Sequence, residues 1–503
     1  MARRVEYPLG RAEALTSRLT PERTMVVVTF TLVFAQGARL RIDTDVWWHI
    51  RAGAYMLANG FIRHDPFSFT KAGASWIDHS WGAEILMNLA WRLGGYGGLE
   101  LMTGLLALAG GWFVYRMCSG GTYVRALALA FASVTASIFW SPRPQMFSYV
   151  LTAAVLYVLH LRRHREIDVL WVLPVLMLAW ANLHGAFAIG FLLMIGTIAG
   201  EVLENVVALD DRGHLGWVAV RKLGFVTAVS AAAVCVNPYG PRLLTVPFQT
   251  AGSSYARLID EWKPPDLRSA SFWPFAVMLV LLFLVIGASG KRIGWTDWTL
   301  CAAGTVLALS AGRNISTFAV VVTPVLTYHL AVALEAKGWT IKPMLRASRP
   351  IAAVNVALIV VVAAIAIAWV SSPFRRDTLS AAERRVLPVD AVAFLRQHGI
   401  EGRLFNAYDW GGYLIYALPD VPVFVDGRSD LYGGAFLTDP YLVTASGGPL
   451  WETQLDRYDI RTVLVRTNSG LATVMQCSAG WRKTYEDGLA IVFTRHDRRR
   501  LIV

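Results

Sequence analysis

A chain of 503 residues that is 55% hydrophobic and only 16% charged departs from water-soluble composition, where about 25% of residues carry charge. Lysine and arginine (47) outnumber the acids (35) for a net charge of +12. No soluble face interleaves those basic residues with aromatics, so a nucleic-acid partner is set aside. Positive mean hydropathy leaves the lipid bilayer as the solvent to expect.

From the N-terminus, Arg3, Arg4, Arg11, Arg18 and Arg23 precede an apolar stretch at about 24–40 with no small-residue cleavage site. This reads as a signal anchor rather than a removed leader, with residues 1–23 in the cytoplasm. Apolar runs then recur at 126–140, 145–161, 186–200, 223–236, 274–288, 297–311, 317–334 and 351–370. Several approach the roughly 17–25 residues that cross a bilayer as a helix. Others, such as 169–181, are shorter. About 11 transmembrane helices satisfy the positive-inside rule. They place Arg116, Arg125, the run Arg162-Arg163-His164-Arg165, Arg221-Lys222, Lys291-Arg292 and Lys337 to Arg349 on the inner side.

The expected organisation is a transmembrane domain over 24–370, with a first outer loop at 43–82, followed by a soluble extracytoplasmic α/β domain over 374–503. In that second part Arg403–Asn406, Pro422–Asp426, Thr462–Arg466 and Leu489–Thr494 read as strands, and Val389–His398 and Trp451–Tyr458 as amphipathic helices. Cys118, Cys235, Cys301 and Cys477 are scattered, with neither C-x-x-C nor a Cys/His ligand spacing.

The polar motifs collect at one face. Ser141-Pro142-Arg143-Pro144-Gln145, Asn182-Leu183-His184-Gly185, Asn237-Pro238-Tyr239-Gly240, Glu261-Trp262 and Arg313-Asn314 all fall at outer ends of the expected spans. Each alone has a plain explanation: helix-ending turns, arginines reaching for the interface, a capping histidine. Together they suggest a hydrated cavity. The first outer loop is the densest, with Asp43-Thr44-Asp45-Val46-Trp47-Trp48-His49 followed by Trp76-Ile77-Asp78-His79-Ser80-Trp81. Residues from Trp47 to Leu57 can form a short interfacial helix with the aspartates at its N-terminus, where the helix dipole favours an ionised carboxylate. Such a carboxylate can accept a proton from a substrate hydroxyl. Asp43 can equally be an N-cap.

An N-in span followed by an acidic D-x-D motif in the first outer loop resembles the GT-C superfamily of polytopic membrane glycosyltransferases, in a bacterial branch. The string DTDVWWHIRAGAYMLANGFIRHDPFSFTKAGASWIDHSW at 43–81 carries the likeness. RPQMFS at 143–148, NLHG at 182–185, NPYG at 237–240, YDWGGYL at 408–414 and FVDGRSDLYG at 424–433 extend it. The resemblance implies a multi-pass enzyme of the bacterial inner membrane that moves a sugar, with inversion, from a polyprenyl-phosphate carrier to a glycan, lipid or protein acceptor at the outer face. Asp45 or Asp43 would be the base, with Asp45 preferred. Arg143 and Arg313 would steady the departing lipid phosphate, and Trp48, His49, His79 and His184 would hold the sugar. The resemblance fixes no cofactor: many members work without one, while two acids one residue apart can share a magnesium or manganese ion, and that point stays open. Asp426-Gly427-Arg428-Ser429-Asp430 would contact acceptor or form an internally paired turn. A flippase for lipid-linked glycans and a glycan polymerase or ligase are the competing classes. The absence of visible repeats argues against the first.

Overall fold

Long apolar helices dominate the structure, a computed structural model that describes residues 18–207, 215–253, 259–339 and 341–496. Arg3, Arg4, Arg11 and the C-terminal arginines 498–500 fall outside the described residues. Among the described residues seven helices are long and apolar enough to cross a membrane, and the chain is a membrane protein. The helices that build the bundle are α1 (Pro21–Gly37), α3 (Trp81–Met117), α4 (Thr122–Ala136), α5 (Gln145–His164), α6 (Val172–Leu183), α7 (Ala188–Val207), α8 (Trp217–Val234), α9 (Trp273–Ser289), α10 (Trp295–Ser310), α11 (Ile315–Ala336) and α12 (Arg349–Ser371). Of these α1, α5, α6 and α10 are shorter or more polar than the other seven. Helix α9 turns Val280, Phe283 and Leu284 outward, which suits lipid and would be costly in water. Its opposite side puts Phe275 and Met278 into a core shared with Phe318 of α11.

Helix α2 (Val46–Asn59) is the amphipathic segment expected after the first span, and it packs between α3 and the C-terminal part. One flank packs Val46, Trp47 and Ile50 on Met87, Tyr96 and Leu99 of α3. The other packs Trp48, Ala52 and Met56 on Leu404, Trp410, Leu414, Val423 and Val492 of the C-terminal part. Each large apolar side chain buried this way contributes roughly 1.5–3 kcal/mol, so α2 is a wedge fixed from both sides. Helix α3 is interrupted at Gly94 and Gly95; Gly95 sits at φ 57°, a conformation a residue with a Cβ rarely adopts. The short arm before the break lies along α2, and the long arm after it runs into the bundle.

The C-terminal part carries a four-stranded mixed sheet in the order β1-β2-β4-β3, from β1 (Arg403–Asn406), β2 (Ile460–Arg466), β3 (Trp481–Glu486) and β4 (Ala490–Arg495). Strands β1 and β2 are parallel, and the β2–β4 and β3–β4 pairs are antiparallel. Residues 422–426 are not a sheet strand. Asn406 holds them with its side chain instead, donating from Nδ2 to Val425 O (2.8 Å) and accepting from Phe424 N (2.9 Å). Val423 pairs only with Ser68 of the first long loop, which ties that loop to the sheet region.

Candidate active site

Helix α2 starts where the chain leaves α1, and Asp45 is its N-cap residue without a capping side-chain hydrogen bond. Asp43 is not the N-cap. Its Oδ1 accepts the Asp45 N–H at 2.9 Å, a turn that presents both carboxylates in one direction. They face Arg143, from the loop that Ser141-Pro142 forces between α4 and α5. Arg143 Nη1 lies 3.5 Å from Asp43 Oδ2 and its Nη2 lies 3.3 Å from Asp45 Oδ2. Glu261 completes the set by accepting from Nη1 at 3.1 Å and Nη2 at 3.3 Å. Its Oε1 also accepts from Arg313 Nη1 at 3.0 Å, and the Arg313 guanidinium lies over the Trp262 ring, 4.5 Å from its centroid.

Two guanidiniums therefore face three carboxylates, and one acid lacks a full counter-charge. That acid is Asp45. Burial first, and the repulsion of Asp43 and Glu261, push its carboxyl up to about 7 against the opposing pull of Arg143. Glu261 goes the other way: burial raises it, but Arg143 and Arg313 overcome that and hold it at about 2. Among the described residues no group of three or more His, Cys, Asp or Glu side chains is placed to hold a metal ion. Asp43 and Asp45 face a guanidinium where a shared cation would sit, so their present arrangement does not fit a divalent ion.

This ionic cluster separates two cavities. One, about 460 Å³, is lined by Asp45, Trp48, His49, Trp76, His79, His184, Arg313, Tyr408 and residues 427–430. The other, about 730 Å³, is lined by Arg39, Arg41, Asp43, Ser137 and Ser271; Arg143, Glu261, Phe139 and Gln145 belong to both. All eight residues singled out from sequence thus converge: seven line the first cavity, and Asp43 lines the second beside Arg143. His184 is set by Ser148, whose Oγ lies 2.7 Å from His184 Nδ1 and accepts from Trp180 Nε1 at 2.7 Å. The His79 and His184 rings meet edge to face with centroids 6.0 Å apart.

The C-terminal part supplies the opposite wall. Gly427 packs so closely on Asp45 Oδ1 that a Cβ there would collide with it. Arg428 is 1% exposed; it donates to both oxygens of Asp426 and, at 2.7 Å, to Asp65 Oδ1, between the rings of Phe67 and Trp76. Asp430 Oδ2 accepts from Trp76 Nε1 at 3.0 Å. Residues 426–430 are therefore both the internally paired turn and a wall of the cavity. Glu261, Trp76, Asp78 and Tyr408 were not singled out as site residues from sequence. For Glu261 the signal was available, since Glu261-Trp262 was among the motifs at the outer span ends.

No protein-family model and no curated protein sequence matches the chain. Solved structures do match it. The archaeal oligosaccharyltransferase AglB from Archaeoglobus fulgidus, in complex with an inhibitory peptide and a dolichol-phosphate, aligns over 96% of this chain and 75% of its own, with a TM-score of 0.58 at 13% identity. ArnT from Cupriavidus metallidurans in the apo state aligns over 94% and 96%, with a TM-score of 0.51 at 16% identity. The arabinofuranosyltransferase AftD from Mycobacteria aligns over 95% of this chain and 40% of its own, with a TM-score of 0.50 at 15% identity. The fold is GT-C. In this chain the acid pair after the first helix, the arginine before α5 and the C-terminal wall line the same site.

Proposed function

We propose that the chain is a glycosyltransferase that moves a sugar from a polyprenyl-phosphate carrier to an acceptor hydroxyl, with inversion at the anomeric carbon, at the outer face of the bacterial inner membrane. The observation that carries this reading is the Asp43–Asp45–Arg143–Glu261–Arg313 cluster between two cavities, with Asp45 poised near neutrality. A base with a pKa near the working pH combines a useful ionised fraction with a driving force for proton uptake. Asp45 takes the proton of the acceptor hydroxyl as its oxygen bonds to the anomeric carbon. The bond from that carbon to phosphate breaks, and its electron pair leaves on the phosphate oxygen.

The cavity with Arg39, Arg41, Ser137 and Ser271 suits an anionic lipid head, and the cavity with Trp48, Trp76 and the histidines suits a sugar and its acceptor. Arg143 belongs to both, at the level where the phosphate–sugar bond would lie. Arg313 commits one terminal nitrogen to Glu261 and keeps its other donors for phosphate oxygens. Helices α1, α5, α6 and α10 are read as crossing with the other seven, which makes eleven spans. That count puts the sheet and the aspartates on the same outer side, as the positive-inside pattern expects.

Purified protein in liposomes with a radiolabelled polyprenyl-phosphate sugar tests the reading. Transfer to a cell-envelope acceptor extract is expected from the natural chain, and a loss of about 10²–10⁴-fold from Asp45→Asn. Flipping of the labelled lipid without transfer would mark a transporter and sink the proposal. Equal transfer by Asp45→Asn would remove Asp45 as the base.

A further inference from the structure

The cavity wall behind His49 holds a second set of ionisable groups that the transfer step does not use. Asp78 and Glu84 are 1% and 0% exposed, and their carboxyl groups lie within hydrogen-bond reach of each other. Asp78 Oδ1 accepts from Ser80 N at 3.1 Å, and Glu84 Oε1 lies 2.8 Å from His49 Nδ1. The remaining oxygens, Asp78 Oδ2 and Glu84 Oε2, are buried without an N–H or O–H donor. Two carboxylates cannot hydrogen-bond each other unless one carries a proton. A single proton held between Asp78 Oδ2 and Glu84 Oε2 satisfies both oxygens and removes a buried pair of like charges. Burial disfavours charge on either carboxyl of the pair, which favours a proton between them.

With that proton lying between Asp78 Oδ2 and Glu84 Oε2, Glu84 Oε1 carries none and requires a donor from His49. That places the imidazole proton on Nδ1 and leaves Nε2 bare. The ring lines the 460 Å³ cavity one helical turn beyond Asp45. The charged and titratable groups facing this chain are Arg143, His79 and His184 on the His49 side, and Arg428, Asp430, His79 and Tyr239 on the carboxyl side. Burial, then Arg143, His184 and His79, hold the His49 imidazole well below the usual histidine range, so it stays neutral.

We propose that Asp78 and Glu84 share one proton and so lock His49 in the Nδ1-protonated form, whose Nε2 accepts a hydrogen bond from a hydroxyl of the bound sugar. The ligand class rests on the glycosyl-transfer reading, whereas the lock itself does not. His49 touches substrate, and Glu84 and Asp78 are positioning residues. The device selects for a hydroxyl at one place on the sugar. A substrate lacking it would leave Nε2 facing an unpaired, dry contact.

The lock is read directly by ¹⁵N-histidine solid-state NMR of the full-length protein in lipid, with His49 assigned by its loss in His49→Gln. A neutral Nδ1–H signal unchanged from pH 5 to 8 is expected. An Nε2–H or imidazolium signal would overturn the proposal, whatever the protein transfers. In the transfer assay Glu84→Gln, whose amide can donate to Nδ1 and invert the tautomer, is expected to raise the donor KM by roughly tenfold with kcat little changed. Asp78→Leu should do the same, and Asp78→Asn should recover most of the loss because its amide N–H replaces the carboxyl O–H. If Asp78→Asn were no better than Asp78→Leu while both remained folded by thermal melting, the shared proton would be refuted. A natural chain inactive in transfer but carrying the Nδ1–H signal would sink the glycosyl-transfer reading and leave the lock intact.

Discussion

Arg143 and Arg428 do the same thing by description and opposite things by geometry. Each bridges carboxylates from distant parts of the chain. Arg428 has no exposed side-chain surface; its bonds to Asp65 and Asp426 are 2.7–2.8 Å, and aromatic rings lie on either side of it. Arg143 keeps 18% side-chain exposure, spreads over three acids at 3.1–3.5 Å, and borders two cavities. Desolvated charges repay their burial only when every donor is well placed. Arg428 meets that demand and acts as a clasp between the first long loop and the C-terminal part. Arg143 does not meet it, and on the proposed glycosyl-transfer reading that shortfall would let an incoming phosphate compete for its donors.

The contrast is breakable by experiment. Arg428→Leu should strand Asp65 and Asp426 without their cation and cost about 3–5 kcal/mol of stability, seen as lost folded yield and early thermal unfolding in detergent. Arg143→Leu should fold, because its acids lie beside cavities that water can enter, yet lose about 10²–10³-fold in transfer rate. If the two variants behaved alike, the division into clasp and poised cation would be wrong. The pH profile sharpens the poised side. Transfer should rise as pH climbs through about 7, where Asp45 gives up its proton, and fall away below it. Glu261→Gln removes a negative charge that raises the Asp45 pKa, so the acid limb should move to lower pH. A limb that stayed put would assign it to another group. The smallest effect belongs to Trp76→Phe, which keeps the ring under Arg428 but drops the N–H to Asp430. A stability change of about 0.5–1.5 kcal/mol is expected from melting curves.

What could be read in advance follows from the range of the interactions. Asp43, Asp45 and His49 were conspicuous because charge beside an apolar run needs a reason, and Arg143 and Arg313 stood out in the same way. The helix from Val46 was legible from its own spacing. Arg428 and Asp65 are 363 positions apart, and no local pattern marks them as partners. The Asp78–Glu84 pair hides for a different reason. Glu84 opens a helix, where an acid is unremarkable, and only burial makes it costly. Residues 422–426 have a strand's composition, but the Asn406 side chain took the place of a ladder partner. Strand β3 went unseen because Trp-Arg-Lys-Thr-Tyr-Glu is mostly solvent-facing and carries little apolar alternation.

Gly427 carries a consequence beyond packing. Its backbone rests directly on the acid that opens helix α2, so the sheet-bearing tail cannot be regarded as an appendage. In a chimaera that exchanged everything after α12 between two such chains, the new tail would bring its own half of the cavity. The choice of acceptor would then travel with the graft, while the choice of lipid carrier stayed with the helices. A chain shortened at that point would leave the acid open to water, and water is itself an acceptor: the donor would be spent as free sugar.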